Sequence, residues 1–134
     1  MAEGLLRHRF AEADILSANI TSMGIHGLDA VPATLEARQV CEEHGVDISA
    51  HRSRPIVGEE IQDADLVFCM EPMHQKFLHS FFPWHRDKIV LLAAWPEKPN
   101  RKSSVTDPMG KPIDFYRKIF DVISGHIDRV MENL

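Results

Sequence analysis

Hydrophobic spacing along the chain predicts alternating helices and strands. Over Met1–Phe10 the two leucines and the phenylalanine recur at helical spacing, which favours an amphipathic helix. Over Leu16–Ser22 apolar and polar residues alternate, which is typical of an edge strand with one polar face. A second helix is predicted over 32–44, because Pro32 suits a first helical turn and Gly45 suits the position just after a last one.

Two apolar runs in the second half of the chain predict buried strands. Leu66–Met70 and Lys88–Ala93 have strand length and lack polar alternation, as expected of strands that are covered on both faces. Between them, Met73–Phe81 predicts a helix with one apolar face. The last element, Ile113–Leu134, has apolar residues at spacings of three and four and predicts a long amphipathic helix that packs on the sheet.

The remaining segments predict loops and one short helical turn. Val46–Pro55 is polar and predicts a loop, and Glu59–Asp63 predicts a single turn of helix. Trp95–Pro112 contains four prolines and predicts a long loop, a feature that is often functional in compact domains. Strands that alternate with helices imply parallel pairing and right-handed crossovers. We therefore predict one α/β domain over residues 1–134.

Composition excludes several classes of protein. The net charge is −5 and no dense run of Lys or Arg occurs, which argues against a nucleic-acid partner. No apolar run approaches the roughly 18 residues of a membrane span, and no signal peptide is present, so we expect no membrane partner and a cytoplasmic location. The cysteines, Cys41 and Cys69, match no metal or redox spacing, and no pair of histidines has a third group at ligand spacing. We therefore expect no metal and no cofactor.

Five short motifs occur in a fixed order along the chain. They are M-A-E-G at 1–4, S-x-G-x-H-G at 22–27, G-x-D-x-S-x-H-R-S-R at 45–54, a strand ending in C-M at 69–70, and D-P-x-G at 107–110. Each match is weak alone, but all five motifs occur in the family's order. Through them the sequence resembles the low-molecular-weight protein tyrosine phosphatases over essentially the whole chain. The resemblance implies a three-layer, flavodoxin-like parallel sheet with helices on both faces.

The resemblance also implies a segment that these residues do not contain. The family has a first strand that ends in a C-x5-R-S-P phosphate loop, placed immediately before M-A-E-G. We therefore expect an N-terminally truncated domain whose central first strand is absent. The two strand edges left without a partner should either close up or pair with another chain in a homo-oligomer. A start codon assigned too far downstream is the alternative explanation.

The family chemistry points to specific side chains. In the family a cysteine thiolate attacks phosphorus, and an aspartic acid protonates the leaving group before it serves as a base. By its place in D-P-x-G, Asp107 is the candidate general acid, and a simple Asp-Pro turn is the alternative. The resemblance makes Ser22, His51 and Ser53 candidates for supporting the phosphate loop. We expect Cys69 to be a buried strand residue and not a nucleophile.

Three functions are compatible with these residues. The first is hydrolysis of phosphotyrosine in proteins, or of a small phosphomonoester, with this chain inactive because the family's cysteine and arginine are missing from it. The second is a non-catalytic binding or assembly module that uses the exposed sheet edge. The third is a thiol-dependent arsenate reductase of the same fold, which ranks last because Cys69 has no partner cysteine nearby.

Overall fold

The computed structural model describes all 134 residues, which form helical layers on both sides of a short parallel sheet. The sheet pairs β1 (Val67–Cys69) with β2 (Ile89–Leu91). The helices are α1 (Ala2–Glu12), α2 (Leu35–Glu43), α3 (Gly58–Asp63), α4 (Pro72–Phe81) and α5 (Ile113–Asn133), with a 3₁₀ helix over Pro83–Lys88. None of these helices combines the length and apolar character that crossing a bilayer requires.

The two faces of the sheet contribute to two separate cores. Successive side chains of a strand point to opposite faces, so Phe68 packs on one side and Cys69 on the other. Phe68 packs against the larger core, which α1, α2 and α5 build around residues such as Ile127. Cys69 belongs to the smaller core, which includes Ile61 of α3 and Leu78 of α4. This three-layer arrangement confirms the predicted fold class.

The strand predicted over Leu16–Ser22 does not form. Two of its carbonyl groups accept hydrogen bonds from arginine side chains, and none pairs with a neighbouring strand. Arg7 donates to the Ile20 carbonyl, and Arg54 Nε donates to the Ser22 carbonyl at 3.2 Å. The apolar positions of the pattern do not face a core, since Leu16 is 85% exposed, and no second strand lies beside the segment to form a ladder. The prediction of a strand here was therefore wrong.

The other predicted elements form, with shifted ends. Both buried strands lie inside their predicted ranges but are only three residues long. The second helix begins at Leu35 and not at Pro32, because Thr34 is its N-cap and accepts a hydrogen bond from the Ala37 N–H at 3.3 Å. Gly45 follows this helix with a φ of 73°, as predicted for a residue that ends a helix.

The apolar face predicted for α4 is mostly exposed. The face comprises Met73, Phe77, Leu78 and Phe81, and only Leu78 is buried. The helix faces the sheet through Gln75 and His79, whose side-chain nitrogens both lie 3.0 Å from the Ile89 carbonyl oxygen. Because these polar contacts fix the rotation of the helix, its remaining apolar side chains face outward.

Candidate functional site

A cavity of about 310 Å³ opens between the first turn of α1, the carboxyl end of β1 and the loop that precedes α5. Polar side chains from five segments line it: Glu3, Ser22, His51, Glu71, His74, Thr106 and Asp107. Apolar side chains of two loops, of Met70 just after β1 and of α5 form further parts of its wall: Ile48, Met70, Val105, Ile119 and Ile123. In α/β proteins, ligands bind at the carboxyl ends of parallel strands, and in pockets that combine apolar walls with a few polar groups.

Glu3 connects three elements at the rim of this cavity. Its carboxylate accepts a short hydrogen bond from Ser22 Oγ, and the same Oε2 lies 3.5 Å from His51 Nδ1. Arg7 Nε donates to the other oxygen at 3.1 Å. The carboxylate thus holds two of the predicted support residues against the first turn of α1. Sequence analysis missed Glu3, although its place in the M-A-E-G motif was a signal that could have identified it.

Ser53 lies outside the cavity lining. Its hydroxyl donates to the Leu28 carbonyl and accepts from the Val31 N–H at 3.1 Å. The structure therefore brings Ser22, His51 and Asp107 together and places Ser53 against a neighbouring loop.

Arg54, the last residue of the 45–54 motif, fixes the segment that carries Ser22. Its guanidinium forms a bidentate pair with Glu60, with both N···O distances at 2.6 Å, while its Nε donates to the Ser22 carbonyl. The hydrogen bonds from Arg54 lower the pKa of the Glu60 carboxyl. Because Glu60 binds both terminal nitrogens of this planar group and the Ser22 carbonyl binds its Nε, the guanidinium restricts the position of the Ser22 main chain.

The two glycines of the S-x-G-x-H-G motif lie where the loop after Ser22 contacts the main chain of Arg54. The Gly24 N–H donates to the Arg54 carbonyl oxygen at 3.0 Å. A Cβ atom on Gly27 would lie 2.7 Å from that oxygen, closer than van der Waals contact allows. Glycine is therefore required at position 27 by close approach of the backbone.

Asp107 lines the cavity and is exposed to solvent. Its Oδ1 accepts a hydrogen bond from the Met109 N–H at 2.9 Å, which is an Asx turn, and Gly110 follows with a φ of 80°. Its second carboxylate oxygen has no partner in the protein. The turn expected of Asp-Pro is thus present, and the aspartate that forms it also lines the cavity.

The loop that carries Asp107 is anchored beside the end of β1. The Val105 N–H donates to the Met70 carbonyl at 2.8 Å, and the Val105 side chain is buried. Ser103 is also buried, and its hydroxyl accepts from the Asn100 N–H at 2.9 Å. These contacts fix the position of Asp107, two residues farther along the chain, relative to the sheet.

Neither cysteine lines the cavity. Cys69 is buried in the smaller core, and burial raises the pKa of its thiol to about 12. Burial also raises the pKa of Cys41, which lies in the larger core. The thiolate is the nucleophilic form of cysteine, so both side chains are unreactive near neutral pH. Both are free thiols, and no group of three or more His, Cys, Asp or Glu residues is arranged to hold a metal ion.

Comparison with known proteins identifies the family. The family model described as low molecular weight phosphotyrosine protein phosphatase matches residues 1–134. The chain belongs to this family. The match confirms the resemblance drawn from the five motifs and makes the cavity the candidate active site of a phosphatase fold.

Individual relatives support the same assignment. The protein-arginine-phosphatase of Geobacillus stearothermophilus is 29% identical over 134 residues, which cover 100% of this chain and 86% of that protein. The low molecular weight protein tyrosine phosphatase from T. tengcongensis has a TM-score of 0.90 at 32% identity, covering 99% of this chain and 88% of the other. The YwlE arginine phosphatase, in a mutant with serine in place of cysteine and a phosphorylated active-site serine, has a TM-score of 0.85 at 28% identity, covering 99% and 85%.

Proposed function

We propose that this cavity serves the hydrolysis of phosphotyrosine in proteins and that Asp107 is its general acid. One observation carries the proposal: Asp107, Ser22 and His51, chosen from motifs far apart in the sequence, line one cavity together with the first turn of α1. The free N–H groups and the positive dipole end of a helix start favour a bound phosphate. A phosphoryl group at that turn would have the Asp107 loop on its leaving-group side.

The proposed reaction has two steps that share one acid and base. A cysteine thiolate attacks phosphorus, the bond from phosphorus to the tyrosine oxygen breaks, and Asp107 gives its proton to that oxygen. Water then attacks the phosphocysteine, Asp107 takes a proton from the water, and inorganic phosphate leaves as the thiolate re-forms. The phosphorylated active-site serine of the YwlE mutant supports a covalent phosphoenzyme in this fold.

The 134 residues contain no thiol suited to the first step. Both cysteines are buried, and neither is followed six positions later by an arginine. We therefore propose that these residues alone do not hydrolyse phosphomonoesters. We propose that the nucleophile belongs to a segment that carries the family's C-x5-R-S-P loop and lies beside the first turn of α1.

Turnover of p-nitrophenyl phosphate tests this division of roles. We expect none from the 134-residue chain, and measurable turnover once a strand ending in C-x5-R-S-P is fused in front of Met1. In the fused protein Asp107→Asn should lower turnover of a phosphotyrosine peptide by about 10² to 10⁴-fold. Asp121→Asn, at an exposed position of α5 outside the cavity, should leave it unchanged. A folded fusion without turnover, or a fully active Asp107→Asn variant, would contradict the proposal.

Phosphoarginine is the second candidate substrate. The relative from Geobacillus stearothermophilus is a protein-arginine-phosphatase that matches this chain over its whole length. Because the leaving nitrogen of phosphoarginine also needs a proton, Asp107 would serve either substrate. Phosphate release from matched phosphotyrosine and phosphoarginine peptides by the fused protein separates the two. We expect the phosphotyrosine peptide to react faster, and the opposite ranking would assign the arginine activity.

A non-catalytic assembly role remains the alternative class of function. The sheet has only two strands, so β1 and β2 each have one edge without a partner strand, and such edges can pair with another chain. We expect a homo-oligomer if this role applies, and sedimentation of the chain as a monomer would argue against it. The two free cysteines support the cytoplasmic location that we propose for either function.

A further inference from the structure

All the strongly exposed aromatic side chains lie in one segment of the chain. Trp84 is 87% exposed, Phe81 65% and Phe77 37%, and Met73 beside them is 64% exposed. Met73, Phe77 and Phe81 recur every four residues of α4 and therefore lie along one face of the helix. The rings of Phe77 and Phe81 are in contact, with centroids 4.8 Å apart. We call these four residues the α4 stripe.

The fold itself gives no reason for aromatic residues at these positions. The α4 helix contacts the sheet through Leu78, Gln75 and His79, which point to a different face. A helix on the surface normally carries polar side chains on its outer face. A contiguous exposed patch of large aromatic side chains is instead a mark of an interaction site.

The α4 stripe begins at the rim of the candidate active site. Glu71 and His74, on either side of the helix start, both line the cavity, and Met73 lies between them. From there the ten residues of α4 extend for about 15 Å at 1.5 Å per residue. Met73, Phe77 and Phe81 therefore form a row that begins next to two cavity-lining residues, and Trp84 follows the row in the 3₁₀ helix.

The charges beside the stripe favour an acidic partner. Residues 72–88 include three Lys or Arg and one Asp or Glu, a net charge of +2, although the whole chain has a net charge of −5. Lys76 and Arg86 are exposed and form none of the ion pairs of this protein. Lys76 precedes Phe77, and Arg86 follows Trp84 by two residues. Two cations without ion pairs next to exposed apolar side chains complement a segment that combines apolar and acidic side chains.

We infer that the α4 stripe docks the polypeptide of a phosphoprotein substrate, through an apolar and acidic segment next to the phosphorylated residue. The inference rests on the proposed function of the cavity and adds to it a surface, outside the cavity, that binds the substrate polypeptide. About five extended residues, at roughly 3.3 Å each, cover the length of the helix. Their apolar side chains pack on Phe77 and Phe81, and their carboxylates lie near Lys76 and Arg86.

Binding of a designed peptide to the unmodified 134-residue chain tests the docking step without catalysis. The probe is a phosphotyrosine followed by alternating leucine and glutamate, titrated into ¹⁵N-labelled protein. We expect shifts at residues 73–84 and about tenfold weaker binding to the double variant Phe81→Ser/Trp84→Ser. The matched control is Leu16→Ser/Leu134→Ser, at positions 85% and 65% exposed, which should bind like the wild type. Equal binding by all three proteins would overturn the inference.

Two further measurements test whether the α4 stripe binds a second copy of the chain or a membrane surface instead of a substrate polypeptide. Sedimentation that shows a dimer lost only in Phe81→Ser/Trp84→Ser would assign the stripe to a second copy of the chain. Binding to vesicles rich in anionic lipid that is lost in the same variant would assign it to a membrane surface. Either result would overturn the inference. A protein that is monomeric, does not bind the vesicles and binds the peptide would support it.

The fused, catalytically complete protein distinguishes failure of docking from failure of the proposed function. There Phe81→Ser/Trp84→Ser should lower kcat/KM for the acidic phosphopeptide about tenfold and leave kcat/KM for p-nitrophenyl phosphate unchanged. Equal kcat/KM values of variant and wild type for the peptide would overturn the docking inference alone. No turnover of p-nitrophenyl phosphate by the unsubstituted fusion would count against the proposed function, and the peptide titration would still decide the docking.

Discussion

Single charged side chains determine how the candidate site is assembled. The Glu3 carboxylate joins Ser22 and His51 to α1, and Arg54 holds the Ser22 main chain from the other side. Sequence motifs predicted Ser22, His51 and Asp107, because each stands in a recognisable short pattern. The M-A-E-G motif offered the same kind of signal for Glu3, but helical spacing shows only that this residue is polar and not which loops fold against it.

At the same scale, burial predicts the behaviour of the two thiols. With the pKa of Cys69 raised to about 12 and that of Cys41 also raised, the native protein should not react with Ellman's reagent near pH 8. After unfolding in guanidinium both thiols should react. Rapid reaction of either cysteine in the native protein would contradict the account of the site, because it would reveal an accessible thiolate.

The Arg54–Glu60 pair predicts a pH dependence of stability. Its hydrogen bonds lower the pKa of Glu60 from the ordinary value of 4.5. A carboxyl whose pKa is lower in the folded state stabilises it above the ordinary pKa, and this stabilisation is lost as the pH falls through the folded pKa. Urea unfolding should therefore show Glu60→Gln less stable than wild type near neutral pH, with the difference shrinking below pH 4.5.

Glu59→Gln provides the matched control for that experiment. Glu59 is the neighbouring residue on α3, is exposed and has no side-chain hydrogen bond to the protein. Its substitution should change the urea midpoint little at any pH. A Glu60→Gln deficit that stays constant down to acid pH would show that the pair with Arg54 contributes nothing through its charge.

At the scale of elements, local sequence signals predicted which helices and strands form better than they predicted which neighbours those elements contact. The apolar runs predicted β1 and β2, and spacing predicted α4 and α5. The same kind of signal failed for Leu16–Ser22, where arginine side chains bind the carbonyls that a strand would offer. It also failed for the orientation of α4. Which partner a segment meets depends on contacts between residues far apart in the chain, and short-range spacing carries no information on those.

Substituting each of two glycines by alanine should change the free energy of unfolding in opposite directions. Gly27→Ala places a Cβ atom against the Arg54 carbonyl oxygen and should destabilise the protein by about 1–3 kcal/mol. Gly125→Ala, at an exposed position of α5 with no atom within 4 Å of the added Cβ, should stabilise it by about 1 kcal/mol. Urea unfolding measures both changes. A Gly27→Ala variant as stable as wild type would mean that the two loops do not touch as described.

At the scale of the whole molecule, the fold places residues from distant motifs around one cavity. The fold class was predictable because buried runs, helical spacing and family motifs all indicated an α/β domain, and the family match over residues 1–134 confirms it. The cavity itself was not predictable, since its wall combines α1, the end of β1, the Asp107 loop and the inner face of α5. By our inference, the α4 stripe adds a docking surface for a protein substrate to this arrangement.

The role of Asp107 as general acid is the central claim, and leaving-group dependence tests it most directly. The fused protein and its Asp107→Asn variant are assayed on phenyl phosphate, whose phenolate is a poor leaving group, and on p-nitrophenyl phosphate, whose leaving group needs little protonation. The account predicts a far larger loss of kcat/KM on phenyl phosphate, by about 10² to 10⁴-fold, because kcat/KM reports the departure of the leaving group and not the later hydrolysis step that both substrates share. Equal losses on both substrates, or none on either, would contradict it.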